Sequence, residues 1–256
     1  MKINYYKIQH VANMEMVDDY KDVIRCLGKL IELAEACNLK CALEGNRERH
    51  TITIQIFVRE IICYIHEAYD CMRAGRLREA NMLLRAAVEN YFLLSAIDQN
   101  QDKYLAELWQ IYSIMATMKL ISKNREVMAS VKGIAESYGM DVKNIKWGSL
   151  RKPNGWLYPV LPEKGNISIY ELCKYLGPEY EEIYSKDYRM LSEFVHSNSY
   201  FQKEVTFAFY SSLVSILIRI AVAIMRVCEG WLEVDQKLEE QWDKFWWMME
   251  KYGNLT

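Results

Sequence analysis

The segment Tyr188–Ser199, YRMLSEFVHSNS, holds the residue types in this sequence that are best suited to chemistry. On a helix, Arg189 and His196 are nearly two turns apart and project about 20° from each other around the axis. Ser192 and Glu193 fall on the same side. An imidazole can transfer a proton near neutral pH, and a guanidinium can hold a phosphate. These four side chains are therefore the candidate catalytic group.

A second polar pair lies on a segment that is otherwise apolar. Arg85 and Glu89 are one helical turn apart within LLRAAVENYFLL, whose pattern is typical of a core-facing helix. Burying an arginine and a glutamate is costly unless both are paired. We therefore expect them to meet polar groups of a packed neighbour, and the 189–196 face is the candidate neighbour.

The spacing Arg189-x6-His196 resembles the signature of the HEPN superfamily of helical nucleotide-binding and ribonuclease domains. The resemblance implies metal-independent cleavage of RNA, as in a toxin or an antiphage effector, without a cofactor. His196 would act as general acid or base, and Arg189 would hold the scissile phosphate. The resemblance also implies a homodimer in which two such helices face one cleft. The same spacing recurs at Arg59 and His66, so spacing alone does not identify a site.

A wider resemblance joins several parts of the chain. Four features occur in the order typical of a family of bacterial helical proteins of unknown function: LLRAAVE (83–89), an isolated Trp147, ISIYELCKYLG (167–177) and YEEIYSKDYRMLSEFVHSNS (180–199). The resemblance covers residues 50–225. It implies an all-α fold and a shared polar site, and it supplies no established activity.

The motifs of that family add supporting residues to the candidate site. Its Arg-x3-Glu helix matches Arg85 and Glu89, and its closing Tyr-x3-Ser-x3-His element matches Tyr188, Ser192 and His196. A second interpretation stays open, because a polar cluster of this kind often fixes the register of packed helices without catalysing anything. The protein would then be a non-catalytic helical module that binds a protein or a small ligand. An accessible 189–196 face would favour the catalytic interpretation, and a sealed, internally bonded face would favour the non-catalytic one.

The elements that must position these residues are predicted to be helices throughout. Prolines and glycines are few, and apolar residues recur at helical spacing. We predict an all-α antiparallel bundle with helices at Val17–Leu43, Thr51–Ala74, Arg76–Ile97, 101–122, 124–138, 168–176, 179–197, 201–230 and 233–251. Ser168 and Glu171 form a predicted capping box. The stretch 147–165 contains three prolines and two tryptophans and is predicted to be one long loop insertion.

We predict three parts along the chain: an N-terminal helical extension over residues 1–49, a core bundle over 50–230, and an aromatic amphipathic helix over 231–256. The last part places Trp242, Trp246 and Met249 on one side of a helix, with Phe245 at its edge. That stripe is expected to dock on the bundle or on a protein partner.

Charge and cysteine content limit the other functional classes. The net charge of −2 gives no general attraction to nucleic acid, although eight basic and three acidic residues lie between Lys119 and Lys152. The apolar stretch 205–228 is interrupted by Arg219 and Arg226, so no membrane span is expected. Seven cysteines without a paired framework indicate a cytoplasmic protein. Cys37 and Cys41 are one helical turn apart, but no second Cys pair or His pair follows at zinc-site spacing, so we expect no metal site.

Overall fold

The structure, a computed structural model, describes residues 49–100, 103–121, 125–162 and 166–196, together with positions 32 and 39 and scattered positions between 212 and 227. The side chains at 119–121, 125–126 and 194–196 are outside this description. Within the described residues the secondary structure is helical and contains no strand. The predicted all-α fold is therefore confirmed.

Eight α-helices lie in the described part of the chain. They are α1 Arg49–Arg73, α2 Leu77–Asn100, α3 Lys103–Ile121, α4 Arg125–Ser137, α5 Trp147–Leu150, α6 Ile169–Leu176, α7 Pro178–Ile183 and α8 Arg189–His196. A 3-10 helix covers Gly155–Leu157, and a π-helical turn covers Tyr184–Tyr188. The described positions between 212 and 227 are also helical.

The start of α1 has a sequence, TITIQIF, whose alternation also suits a β-strand. It is helical here, and Thr53 is fully buried. The Thr53 hydroxyl donates to the Arg49 carbonyl (2.8 Å) and accepts from Gln110 Nε2 (2.8 Å). Because both capacities of the hydroxyl are used, a threonine is tolerated inside this helical segment.

Helices α1 and α2 are joined by a tight turn in the segment AGRL (74–77). Gly75 adopts a left-handed backbone conformation with φ of 72°, which glycine accepts without steric cost. Its N–H donates to the Met72 carbonyl (3.0 Å) and closes the end of α1. The short connection fixes where α2 begins and thus where Arg85 and Glu89 are placed.

The described residues divide into two compact units. The first unit takes its described helices from Phe57–Tyr91 and Ser185–Thr256, and the second comprises Asn46–Ile56 and Phe92–Tyr184. In the first unit, α1 buries apolar residues at intervals of three and four residues, namely Phe57, Ile61, Ile65, Ala68 and Met72. This spacing is the one that the sequence pattern predicts for a helix with one buried side.

In the second unit, α3 packs against α4 and against the 3-10 helix, and α6 packs against α7. The stretch that we predicted as one long loop contains α5 and the 3-10 helix, with Trp156 fully buried. The predicted capping box at α6 is confirmed, because Ser168 Oγ accepts from the Glu171 N–H (3.2 Å) and Glu171 Oε2 accepts from the Ser168 N–H (3.0 Å).

Several predicted elements fall outside the described residues. These are almost all of the 1–49 extension, most of the helix at 201–230 and the aromatic helix at 231–256. The three-part division of the chain thus stays a prediction. In the portion that is described, no helix is long and apolar enough to cross a membrane.

Candidate functional site

Helix α2 carries a polar stripe that begins in the core of the first unit. Asn81, Arg85 and Glu89 follow at intervals of four residues, so they share one side of the helix. Asn81 is 1% exposed, whereas Arg85 and Glu89 are half-buried. Polar groups at such positions need hydrogen-bond partners, since unpaired burial is costly.

The partner that Arg85 and Glu89 share comes from the π-helical turn that precedes α8. A π turn holds about one residue more than an α-helical turn, so it shifts the side that the following residues present. Its last two residues, Asp187 and Tyr188, are consecutive and both buried. The end of the π turn thus places two polar side chains in the first unit.

The Tyr188 hydroxyl joins the two charged residues of α2. Arg85 Nη2 donates to this hydroxyl (3.4 Å), and the hydroxyl donates to Glu89 Oε2 (3.1 Å). The Arg85 guanidinium also lies 5.5 Å from the centroid of the Tyr188 ring. Burial, with a smaller contribution from the Glu89 carboxylate, raises the pKa of Tyr188, although the Arg85 hydrogen bond opposes this shift. Tyr188 is therefore held as a neutral phenol between a cation and an anion.

Asn81 attaches the first turn of α8 to α2. Its Nδ2 donates to the Leu191 carbonyl (2.9 Å), and Leu191 itself is fully buried. Two buried atoms of the cluster, Asn81 Oδ1 and Arg85 Nε, have no hydrogen-bond partner among the described residues. An unpaired buried polar atom costs about 1–3 kcal/mol.

The four candidate catalytic residues of α8 have different surroundings. Arg189 and Glu193 are mostly exposed, with 68% and 69% of their side-chain surfaces accessible, and Arg189 Nε lies 3.6 Å from Glu193 Oε1. Ser192 is half-buried, and its hydroxyl donates to the Tyr188 carbonyl one turn earlier (2.8 Å). His196 is the last residue of α8, and its side chain lies outside the described part of the structure.

A further ion pair joins the π turn to the helical segment between 212 and 227. Arg219, in the helical segment between 212 and 227, donates to the Asp187 carboxylate. Asp187 is 5% exposed, and the Arg219 side chain is about half exposed. A carboxylate buried to this extent depends on such a partner. Arg219, which interrupts the apolar stretch 205–228, therefore stabilises the π turn by pairing with Asp187.

The structure brings together part of the predicted site. Arg85, Glu89 and Tyr188 meet as one hydrogen-bonded group, and Ser192 adjoins it through the Tyr188 backbone. Arg189 and Glu193 instead pair with each other on the exposed side of α8. The pair on α1 with the same spacing is also on the surface, with His66 Nδ1 3.8 Å from Asp70.

Sequence reasoning did not include Asn81, Asp187 and Arg219 in the site. The signal for Asn81 was present, because it precedes Arg85 by the same four residues that separate Arg85 from Glu89. Asp187 carried no such signal, because its partner Arg219 lies far away in the sequence. No group of three His, Cys, Asp or Glu residues suited to a metal ion occurs among the residues described.

Comparison with known proteins places this site in a family. A family model matches residues 50–204, which is more than half of the chain. The chain belongs to DUF5677, a family of unknown function. The DUF5677 region contains α1 from His50 onward and all of α2 to α8, and thus every predicted site residue. The resemblance to an uncharacterised family is confirmed at this level, while a relation to HEPN proteins stays a prediction. Searches of curated proteins and of solved structures each give no match.

Proposed function

We propose that this DUF5677 protein is a HEPN-like helical protein that acts on RNA or nucleotides, with the exposed side of α8 as its phosphate-contacting surface. The observation that carries the proposal is the exposed Arg189 guanidinium, whose described contact is a loose 3.6 Å approach to Glu193. Such a surface pair contributes little to stability, so a phosphate can compete for the arginine at small cost.

The proposal is supported by how firmly α8 is held. Asn81 binds the Leu191 carbonyl, and the Arg85–Tyr188–Glu89 group fixes the residue immediately before α8. A charged group on a rigid element loses little freedom when it binds a substrate. The same helix ends at His196, which the HEPN resemblance makes the general acid or base in metal-independent RNA cleavage. A toxin or antiphage effector is the biological role that this chemistry suggests.

The decisive experiment is an RNA-cleavage assay in EDTA with wild type, His196→Ala and Arg189→Ala. Loss of a general acid or base should lower the rate by about 10²- to 10⁴-fold, and loss of the phosphate-holding cation by about 10²-fold or more. Arg59→Ala and His66→Ala are matched controls, because they remove the same residue types at the same spacing from the exposed side of α1. They should cleave at the wild-type rate.

Melting temperatures decide whether a loss of cleavage is catalytic. His196→Ala should melt within a few degrees of wild type. If cleavage and fold are lost together, His196 is structural, and if cleavage persists in His196→Ala, the proposed mechanism is wrong.

A second candidate is a non-catalytic helical module in which the polar group only sets helix register. The buried Tyr188 hydroxyl and the Asn81–Leu191 hydrogen bond favour it, since both join one helix to the next. Under this alternative, Arg189→Ala and His196→Ala leave every activity unchanged. Variants of Arg85, Glu89 or Tyr188 would then change only the stability of the protein.

A further inference from the structure

We infer that the segment 143–152 of the second unit, named here the basic loop, binds the phosphate backbone of single-stranded RNA. This inference rests on the proposed action on RNA, because it states where the strand is held. Its four basic side chains are all exposed: Lys143, Lys146, Arg151 and Lys152. In a chain with a net charge of −2, attraction to a polyanion must come from a local cluster of this kind.

The positive charge of the basic loop is not neutralised by carboxylates among the described residues. The nearest acidic residue in sequence, Asp141, is engaged in its own turn. Its carboxylate oxygens accept from the Lys143 N–H (3.0 Å) and from Asn144 Nδ2 (2.7 Å). The Lys143 ammonium group is not part of that interaction. The four cations are therefore available to an external anion.

The basic loop is held in one conformation by its neighbours. Trp147 Nε1 donates to the Val142 carbonyl (3.0 Å), and the Lys146 N–H donates to the Tyr158 hydroxyl (3.5 Å), which also bonds the Tyr104 hydroxyl on α3 (2.8 Å). Lys146 and Arg151 cap the two ends of α5, so the four-residue helix keeps them about 8 Å apart along its axis. A surface ordered in advance loses less entropy when it binds.

A close backbone approach fixes the far end of α5. A Cβ atom at Gly155 would lie 1.8 Å from the Ser149 carbonyl oxygen, so only glycine allows the 3-10 helix to pack there. Asn154 adopts a left-handed φ of 54° and donates to the Ile167 carbonyl (3.1 Å). Asparagine tolerates this conformation better than most residues. The path of the chain beyond Lys152 is thus determined by packing.

The aromatic residue within the basic loop favours a nucleic acid over an acidic protein. Trp147 is half-buried, and Lys132 Nζ lies 5.8 Å from its ring centroid. Surfaces that bind single-stranded nucleic acid combine cations that follow the backbone with aromatic rings on which bases stack. An acidic peptide needs the cations but gains little from the ring. The combination therefore points to RNA.

The test is a binding titration of fluorescent single-stranded RNA, 2′-O-methylated so that it cannot be cleaved, over a series of KCl concentrations. The variant carries Lys143→Gln, Lys146→Gln, Arg151→Gln and Lys152→Gln. The measured quantity is the slope of the logarithm of the binding constant against the logarithm of the KCl concentration. Each phosphate that the variant no longer neutralises should reduce the magnitude of this slope by about 0.7, so the total reduction should be up to about 2.8. Affinity at low salt should fall at least about tenfold, since up to four cations no longer bind the backbone.

The matched control removes the same charge from exposed positions elsewhere: Arg59→Gln, Arg76→Gln, Arg78→Gln and Lys103→Gln. It should bind RNA within about threefold of wild type if the phosphate-binding cations are local. Equal weakening in both variants would overturn the assignment to the basic loop. Wild-type binding to polyglutamate with the same dependence on the loop would overturn RNA as its ligand.

Binding and cleavage separate this inference from the proposed function. If the basic-loop variant binds like wild type while His196→Ala abolishes cleavage, the proposed function stands and the inference is wrong. If wild type neither binds nor cleaves RNA, both fail. The inference is supported when His196→Ala binds RNA at wild-type affinity and the basic-loop variant does not. Melting curves on each variant confirm that the comparison is between folded proteins.

Discussion

Tyr188 is the residue that links the two halves of the candidate site. Its hydroxyl accepts from Arg85 and donates to Glu89, and its backbone carbonyl accepts from Ser192. Both capacities of the hydroxyl are used in a buried position, where hydrogen bonds to charged groups are stronger than in water. Tyr188 is also the last residue of the π turn, and Arg189, which follows it, is exposed.

Tyr188→Phe should lower the free energy of unfolding by about 1–3 kcal/mol, because it leaves Arg85 and Glu89 without their shared partner. Tyr175→Phe is the matched control. Its hydroxyl donates to Asn100 Oδ1 (3.0 Å) from an exposed ring, and water can replace that bond at a cost below about 0.5 kcal/mol. Urea denaturation measures both. Equal small losses would contradict a central role for Tyr188.

Cys173 should make the protein sensitive to alkaline pH. The thiol is fully buried on α6, and burial, with a smaller contribution from Glu181, raises its pKa to about 12. Because the pKa is raised, the full contribution of the buried thiol to the free energy of unfolding is present below pH 9, the ordinary pKa of a thiol. It is lost as pH rises toward 12, because the unfolded thiol ionises first.

Between pH 8 and about pH 10.5, wild type should therefore lose about 2 kcal/mol more of its free energy of unfolding than Cys173→Ala. Urea denaturation at the two pH values provides the measurement. Cys63→Ala, which removes an exposed thiol, should follow wild type. Parallel losses in wild type and Cys173→Ala would show that the buried thiol does not set the alkaline limit.

At the scale of elements, the π turn decides which residues reach the cluster. Apolar periodicity from 179 to 197 predicts one continuous helix, and the helical assignment is correct. The turn at Tyr184–Tyr188 nevertheless inserts about one extra residue. Asp187 and Tyr188 at its end are both buried, whereas Arg189 and Glu193 in the following helix are exposed. The sequence pattern of one continuous helix had instead predicted that the 189–196 face would meet Arg85 directly.

The compact stretch after α5 makes its own prediction. Gly155→Ala should destabilise the protein by about 1–3 kcal/mol or more, because its methyl group would overlap the Ser149 carbonyl. Gly148→Ala is the control within α5. No atom lies within 4 Å of the added carbon there, and alanine favours helix by up to about 1 kcal/mol. In thermal melting, Gly155→Ala should have a lower melting temperature than wild type and Gly148→Ala a higher one. A Gly155→Ala variant that melts like wild type would contradict the close packing.

At the scale of the whole molecule, the proposed mechanism calls for two copies of α8 across a homodimer. Sedimentation should then give a mass near twice the 30.2 kDa of the chain. Cleavage should fall with dilution below the dissociation constant, since each cleft needs both copies. A monomer that cleaves RNA at every concentration would contradict a shared cleft while leaving the roles of Arg189 and His196 open to test.

The fold was largely predictable because helical periodicity is a local property. Spacing of apolar residues located α1 to α4 within a few residues, and the Ser168–Glu171 pair located the start of α6. The site was predictable only in part. The Arg85 and Glu89 spacing showed that a polar partner was required, but the identity of that partner depended on how the chain folds between α7 and α8.

The sequence by itself determined that the chain is helical, that Arg85 and Glu89 share one side of α2, and that Arg189 to His196 carries the polar residues of α8. These follow from intervals of three and four residues. Only the tertiary structure decided that Tyr188 joins Arg85 to Glu89, that Arg219 neutralises Asp187, and that Arg189 is exposed. The physical reason is that one π turn changes the side presented by every following residue, and apolar spacing does not encode it.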